Sequence, residues 1–210
     1  TSDSELFAHL IKKDPTEEDR IINLINALNM IEGAFSLVIM TPNRIYACRD
    51  KYGFHPLSIA KLGEGYVVAS ETCAFDAIGA EFIRDVNPGE IITIDHHGIR
   101  SNDYSKLRSH RMCVMEYIYF ARPDSDIEGC NVHSFRKLSG RLLYEEHPVD
   151  ADIVVGVPDS SLSAAMGYAE ESGIPYGVGF LKNKYIGRTF IAPTGRQGQV
   201  RMKLAAIEAA

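Results

Sequence analysis

Residues 153–190 constrain the fold more than any other stretch of this chain: IVVGVPDSSLSAAMGYAEESGIPYGVGFLKNKYIGRTF. Ile153–Val157 is a short β-branched run, the pattern of a strand buried on both faces. Pro158-Asp159-Ser160-Ser161 interrupts it with a carboxylate and two hydroxyls. Ser161 can cap a helix to about Ser172, with Leu162, Ala165, Met166 and Ala169 on one face. Gly173-Ile174-Pro175 ends that helix and opens a second short strand. A basic, glycine-punctuated loop follows, Lys182-Asn183-Lys184-Tyr185-Ile186-Gly187-Arg188-Thr189. Strand, polar turn and helix in this order place a ligand at the strand's C-terminal end. The cationic loop beside them points to a polyanion, with a phosphate ester as the fitting chemistry.

The rest of the chain divides by hydrophobic period. Ser2-Asp3-Ser4-Glu5 has capping-box spacing, and Leu6, Phe7, Leu10 and Ile11 give the following helix an apolar face. Thr16 can cap a second helix through about Met30, with Ile21, Leu24, Ile25 and Leu28 facing inward. The pattern then becomes extended. Ala34–Met40, Arg44–Arg49, Leu57–Lys61, Tyr66–Ser70 and Ile91–Asp95 read as strands separated by turn chemistry, and His96-His97-Gly98 reads as a hairpin turn. Short antiparallel strands flanked by helices predict a layered α+β domain. The apolar pattern lapses over SNDYSKLRSHR, Ser101–Arg111. Beyond it come a strand at Met112–Phe120, a helix from about Asn131 to Glu146, and the strand at Ile153–Val157, an alternation that predicts a parallel α/β sheet. The closing AAIEAA shows no strand pattern.

Hydrophobic residues are 45% and charged residues 24%, the proportions of a globular chain. The net charge of −6 excludes a general affinity for nucleic acid, so any anion site is local. No apolar run approaches the roughly 20 residues of a membrane helix, and the N-terminus has no signal-peptide pattern. Cys48, Cys73, Cys113 and Cys130 form no Cys-x-x-Cys pair, which predicts free thiols in a reducing cytoplasm rather than a local zinc site.

Five runs carry a family resemblance: GVPDSS, KNKYIGRTFI, MEYIYFARPDSDI at Met115–Ile127, SDSE at Ser2–Glu5, and YVVASETCAFDAIGA at Tyr66–Ala80. Together, and in their order along the chain, they resemble the glutamine phosphoribosylpyrophosphate amidotransferases. The resemblance implies an α+β unit followed by an α/β unit. Residues 1–108 would be the back half of an αββα N-terminal-nucleophile glutaminase sandwich. Residues 109–210 would open a type I phosphoribosyltransferase parallel sheet. The chain is expected to be an internal segment, without the N-terminal cysteine nucleophile or the C-terminal phosphate-cradling loop, and therefore inactive in isolation. The complete protein is expected to be a cytoplasmic, homo-oligomeric pentosyltransferase with glutamine amidotransferase activity. It would make 5-phosphoribosylamine from phosphoribosylpyrophosphate and glutamine-derived ammonia, the first step of de novo purine synthesis.

The resemblance also implies residue roles. Asp3 would pair with the α-amino group of glutamine, where residue type alone offers only a charge at a helix N-terminus. Ser160 would lie at the Mg²⁺ that accompanies phosphoribosylpyrophosphate, where residue type alone offers a turn former. Lys182, Tyr185, Arg188 and Thr189 would belong to a loop that closes over that substrate. The bland reading of the same residues is a solvated basic loop. Lys184 stands where the family pattern has arginine, so a bidentate phosphate contact is lost there. Cys113 occupies the position of one ligand of a 4Fe–4S cluster carried by some members, and the residues leave ligand and buried thiol equally open. The reading from another class is a non-catalytic module that binds a phosphoribosyl ligand or a partner with the same parts. A cysteine near the start of the full reading frame, with a glycine-rich acidic loop downstream, separates the two.

Overall fold

The computed structural model describes residues 3–11, 20–106, 109–187 and 203–207. Its contacts fall into two compact units, Thr1–Val114 and Met115–Ala210, divided downstream of the 108/109 boundary read from the sequence.

The first unit begins with helices α1 (Asp3–Ile11) and α2 (Arg20–Met30). Strands β1 (Ser36–Met40), β2 (Ile45–Arg49), β3 (Ser58–Leu62) and β4 (Gly65–Ala69) follow. Helix α3 (Cys73–Ile78) leads to β5 (Glu81–Asp85), β6 (Glu90–Asp95) and β7 (Gly98–Asp103). The strands form two antiparallel sheets, ordered β1-β2-β6-β7 and β4-β3-β5. Alternation along β2 and β6 sorts the core. Tyr46, Cys48 and Ile91 join Phe7, Leu24, Ala27 and Leu28 of the helices. Ala47 and Ile92 point the other way, to Leu57, Val86 and the partly buried Val68 beside the second sheet. Each sheet-facing side chain is thus assigned a layer by its parity.

The read strands lie within a residue or two of the observed ones, and the His96-His97 hairpin is present between β6 and β7. Three elements differ from the sequence reading. Helix α3 and strand β5 were not foreseen. Ser101–Asp103, read as part of a linker, is the end of β7. That strand is a sheet edge with an exposed polar face, so its composition resembles a loop.

Two charged groups are buried at the end of β2. Arg49 is 1% exposed and donates to three carbonyls: His55 at 2.9 Å, Val86 at 2.7 Å and Gly53 at 2.9 Å. Asp50, fully buried, accepts from the amides of Tyr52 and Phe54 at 2.8 and 3.1 Å. Buried charge is tolerated only when hydrogen-bonded in this way. Gly53 has φ +63°, and a Cβ there would lie 2.9 Å from Pro88 and 3.1 Å from the Arg49 guanidinium. The loop therefore needs glycine both for conformation and for space.

Glu90 joins the two sheets. Its carboxylate is held by Arg84 of β5 at 2.6 Å, by the Asn87 amide at 2.7 Å and by the Ser101 hydroxyl of β7. Burial alone would raise its pKa, but these donors, Arg84 foremost, hold it below the ordinary carboxylate value.

In the second unit a π-helical turn spans Glu116–Phe120, where the sequence suggested a strand over Met112–Phe120. A short apolar run suits either state. The helical one is fixed by buried Arg136, which donates to the Tyr117 and Ala121 carbonyls. The hairpin β8 (Asp126–Ile127) and β9 (Cys130–Asn131) follows. Helix α4 (Val132–Glu146) is capped by Asn131, whose side chain accepts from the Ser134 amide at 3.1 Å. Strand β10 (Val154–Val155), helix α5 (Leu162–Ser172) and strand β11 (Tyr176–Gly177) make a parallel crossover, as read. Strand β10 is shorter than read and not buried on both faces: Ile153 and Val157 are 54% and 51% exposed, because β10 pairs only β11 among the described residues. Strand β12 (Phe180–Lys182) pairs antiparallel with β13 (Leu204–Ala206), whose last two residues open the closing AAIEAA read as strandless. Ala-rich sequence has weak strand preference, and pairing supplies what propensity does not.

Helices α4 and α5 touch backbone to backbone. A Cβ on Gly167 would lie 1.9 Å from the Lys137 carbonyl oxygen, and one on Gly140 would lie 1.9 Å from that of Ala164. The Lys137 and Arg141 side chains close the same contact on Glu170 at 2.6 and 2.7 Å. No helix among the described residues is long and apolar enough to cross a membrane.

Gly167→Ala is expected to separate the helices and cost about 1–3 kcal/mol or more by overpacking. Urea unfolding followed by circular dichroism measures this, and an unchanged midpoint would contradict the contact.

A carboxylate held low in the fold stabilises above its unfolded pKa and loses that effect as pH falls through its folded pKa. Glu90→Gln should therefore flatten the loss of stability on acidification. Thermal melts of both proteins across the acid range decide it; parallel curves would show that Glu90 is not the titrating group.

Candidate functional site

The polar turn read from the sequence is built at the end of β10. Gly156 allows the chain to fold back on α5: a Cβ there would meet the Leu162 Cα at 3.0 Å and the Ala165 Cβ at 3.1 Å. The Pro158–Asp159 peptide is cis. The Ser161 hydroxyl donates to the Val157 carbonyl, so it closes the turn instead of capping α5 as the sequence suggested. Asp159 is exposed and Ser160 partly so. Beneath them, buried Ser163 meets His133 Nδ1 at 2.9 Å, tying the first turn of α5 to the first turn of α4.

Lys182 reaches this turn from β12. Its ammonium donates to the Asp159 carboxylate, with the two side chains 31% and 61% exposed. Beyond it the Asn183 side chain accepts from the Tyr185 amide at 3.0 Å, and the Tyr185 ring is wholly exposed. The structure thus brings Ser160 and Lys182, two of the sequence candidates, to one turn, with Tyr185 three residues beyond Lys182. Arg188 and Thr189 lie outside the described residues. So does the side chain of Asp3, which opens α1. Chemically, the turn offers hydroxyls, one carboxylate and one ammonium. That set suits a phosphate-bearing ligand.

The first 77 residues match the model of the glutamine amidotransferase domain family. Amidophosphoribosyltransferase of Bacillus subtilis is 51% identical over 99% of the chain, which spans 44% of that relative. That of Staphylococcus aureus is 48% identical over 99% of the chain and 42% of the relative. A solved glutamine phosphoribosylpyrophosphate amidotransferase from B. subtilis, complexed with ADP and GMP, superposes with a TM-score of 0.89 at 50% identity. It covers 99% of this chain and 46% of its own. The chain matches amidophosphoribosyltransferase sequence throughout. It spans less than half the length of these relatives.

The sequence reading missed the Arg49–Asp50 anchor, although RDKYGFHP places two charges directly after an apolar strand, an available signal. Around it, Tyr52 lies between Lys51 and Arg111, 5.3 and 5.5 Å from its ring centre. Residues 109–113 run beside that loop: the Arg111 amide donates to Tyr52 at 2.8 Å and the Cys113 amide to Phe54 at 3.0 Å. The resemblance to amidophosphoribosyltransferases raises the question of a cluster at Cys113. Two of the chain's other three thiols do not fit one. Cys48 is fully buried in the core, its thiol pushed up to about 12 by burial, and Cys73 is buried at the start of α3. Among the described residues no three metal-binding side chains gather, whereas a cluster takes four thiolates.

The purified 210-residue chain is accordingly expected to hold no iron–sulfur cluster after anaerobic reconstitution. Iron analysis and visible absorbance test this, and one cluster per chain would refute the thiol assignment.

Proposed function

We propose that this chain works as part of an amidophosphoribosyltransferase, forming 5-phosphoribosylamine and pyrophosphate from phosphoribosylpyrophosphate and ammonia in purine biosynthesis. The observation that carries the reading is the turn after β10, where Lys182 pairs with Asp159, the neighbour of Ser160, at the C-terminal end of a parallel strand. In this reading residues 1–108 belong to a glutaminase sandwich, in which Asp3 pairs with the ammonium of glutamine. Residues 109–210 belong to a phosphoribosyltransferase sheet. The layering of two sheets under helices and the parallel β10–α5–β11 crossover support the assignment. Homo-oligomeric assembly and a cytoplasmic location belong to the same reading.

Lys182 would hold the pyrophosphate of the substrate, and Tyr185 would cover it. Arg188 and Thr189 are assigned to the same loop from the sequence. A hydroxyl and turn carbonyls suit Mg²⁺, which keeps water and takes much of its coordination from substrate phosphates. Ser160 is the residue of the turn that would hold it, and the ion would neutralise charge on the leaving pyrophosphate. Ammonia then needs no proton removed before it attacks C1. The demand on the protein is to fix the ribose and to stabilise the departing pyrophosphate.

The protein produced from its native gene should release pyrophosphate from phosphoribosylpyrophosphate in proportion to added ammonia. Lys182→Ala should lower kcat/KM for phosphoribosylpyrophosphate roughly 10- to 100-fold, the range for one charge-assisted contact strengthened in the transition state. No ammonia-dependent release by the wild-type protein would overturn the reading.

A further inference from the structure

A carboxylate at the mouth of an anion site is a liability, since it repels the ligand that the site should attract. Asp159 stands in that position, more than half exposed, and its oxygen is engaged by Lys182. The two come from different elements, 23 residues apart. We propose that Asp159 is the resident counter-ion of Lys182, exchanged for pyrophosphate on binding and restored on release. This rests on the reading above that the turn receives a pyrophosphate-bearing substrate.

The exchange has a physical basis in three features. A lysine ammonium on its flexible stem has no preferred place without a partner, and the carboxylate keeps it at the turn. Pyrophosphate carries more charge than one carboxylate, so it wins Lys182 when present. The displaced Asp159 is exposed enough to be hydrated at little cost. When the ligand dissociates, Asp159 recaptures the ammonium. The carboxylate thus weakens product binding and speeds its release. It is a positioning residue, acting through Lys182.

The test measures inorganic pyrophosphate binding to the protein produced from its native gene by calorimetry, with dissociation rates by stopped flow, across a salt series. Asp159→Asn should tighten binding about three- to five-fold, the scale of one exposed ion pair. The gain should appear as slower dissociation, with a steeper salt dependence because the site now carries net positive charge. Asp159→Glu should stay near wild type. In a Lys182→Met background, Asp159→Asn should have a smaller effect. Weaker binding by a folded Asp159→Asn protein would overturn the proposal and make Asp159 a ligand-side group. So would an equal gain with and without Lys182, which would show plain repulsion. If the wild-type chain and all variants fail to bind pyrophosphate, the phosphate-site reading itself falls. Binding by wild type that Asp159→Asn leaves unaltered defeats the counter-ion alone.

Discussion

The second unit depends on the place where α4 and α5 meet with no side chain between them. Gly140 and Gly167 face each other's helix, and each would drive a Cβ into a carbonyl oxygen. Such a contact constrains both the distance and the rotation of α5, because backbone cannot yield as a side chain tip can. Helix α5 starts immediately after the Asp159-Ser160-Ser161 turn. Its placement is therefore the placement of the turn. His133 and Ser163 fix the same end, and Lys137, Arg141 and Glu170 close the far side on the surface. The glycine contact sets position, while the exposed ion pairs add little energy of their own.

The first unit solves a related problem with charge. After β2 the chain must leave the sheet and return at β3, crossing residues that have no regular partner. Arg49 takes two carbonyls of this region, Gly53 and His55, and a third from Val86 after β5, while Asp50 takes the Tyr52 and Phe54 amides. The loop behaves as a short piece of secondary structure whose ladder is made of side chains. Arg136 does the same in the second unit by holding the carbonyls of the π-helical turn. Both arginines are nearly fully buried, and both serve irregular backbone rather than an opposite charge alone.

This explains what could be read from the sequence and what could not. The amphipathic helices, the β2 and β6 strands and the β10–α5–β11 crossover rest on periodicity, and they were legible. Ser160 and Lys182 were candidates because the resemblance named them, where residue type alone offered a turn former and a solvated basic loop. Phe120 and its neighbours were misread as a strand, since an apolar run of that length fits both periods and a residue 16 positions downstream, Arg136, makes the choice. The end of β7, Ser101–Asp103, was taken for a linker because an edge strand need not be apolar. The contact of Asp159 with Lys182 was invisible for the same reason: spacing gives no sign that residues 23 apart share an ion pair.

Burial divides the charges of this chain by what they can do. Arg49, Asp50 and Arg136 are committed: their hydrogen bonds are complete, and leaving one partner unpaired in the core would cost several kcal/mol. Such groups cannot change partners during a reaction. Lys182 and Asp159 lie at the other limit. Their pair is exposed, solvent screens it, and breaking it costs on the order of 1 kcal/mol or less. A group that must meet a ligand and let it go has to come from this second class. The net charge of −6 makes the local position of such a lysine decisive, because the chain as a whole does not attract anions. The rigid glycine contact and the loose ion pair are therefore complementary. The first holds the turn still, and the second leaves the cation above it free to exchange.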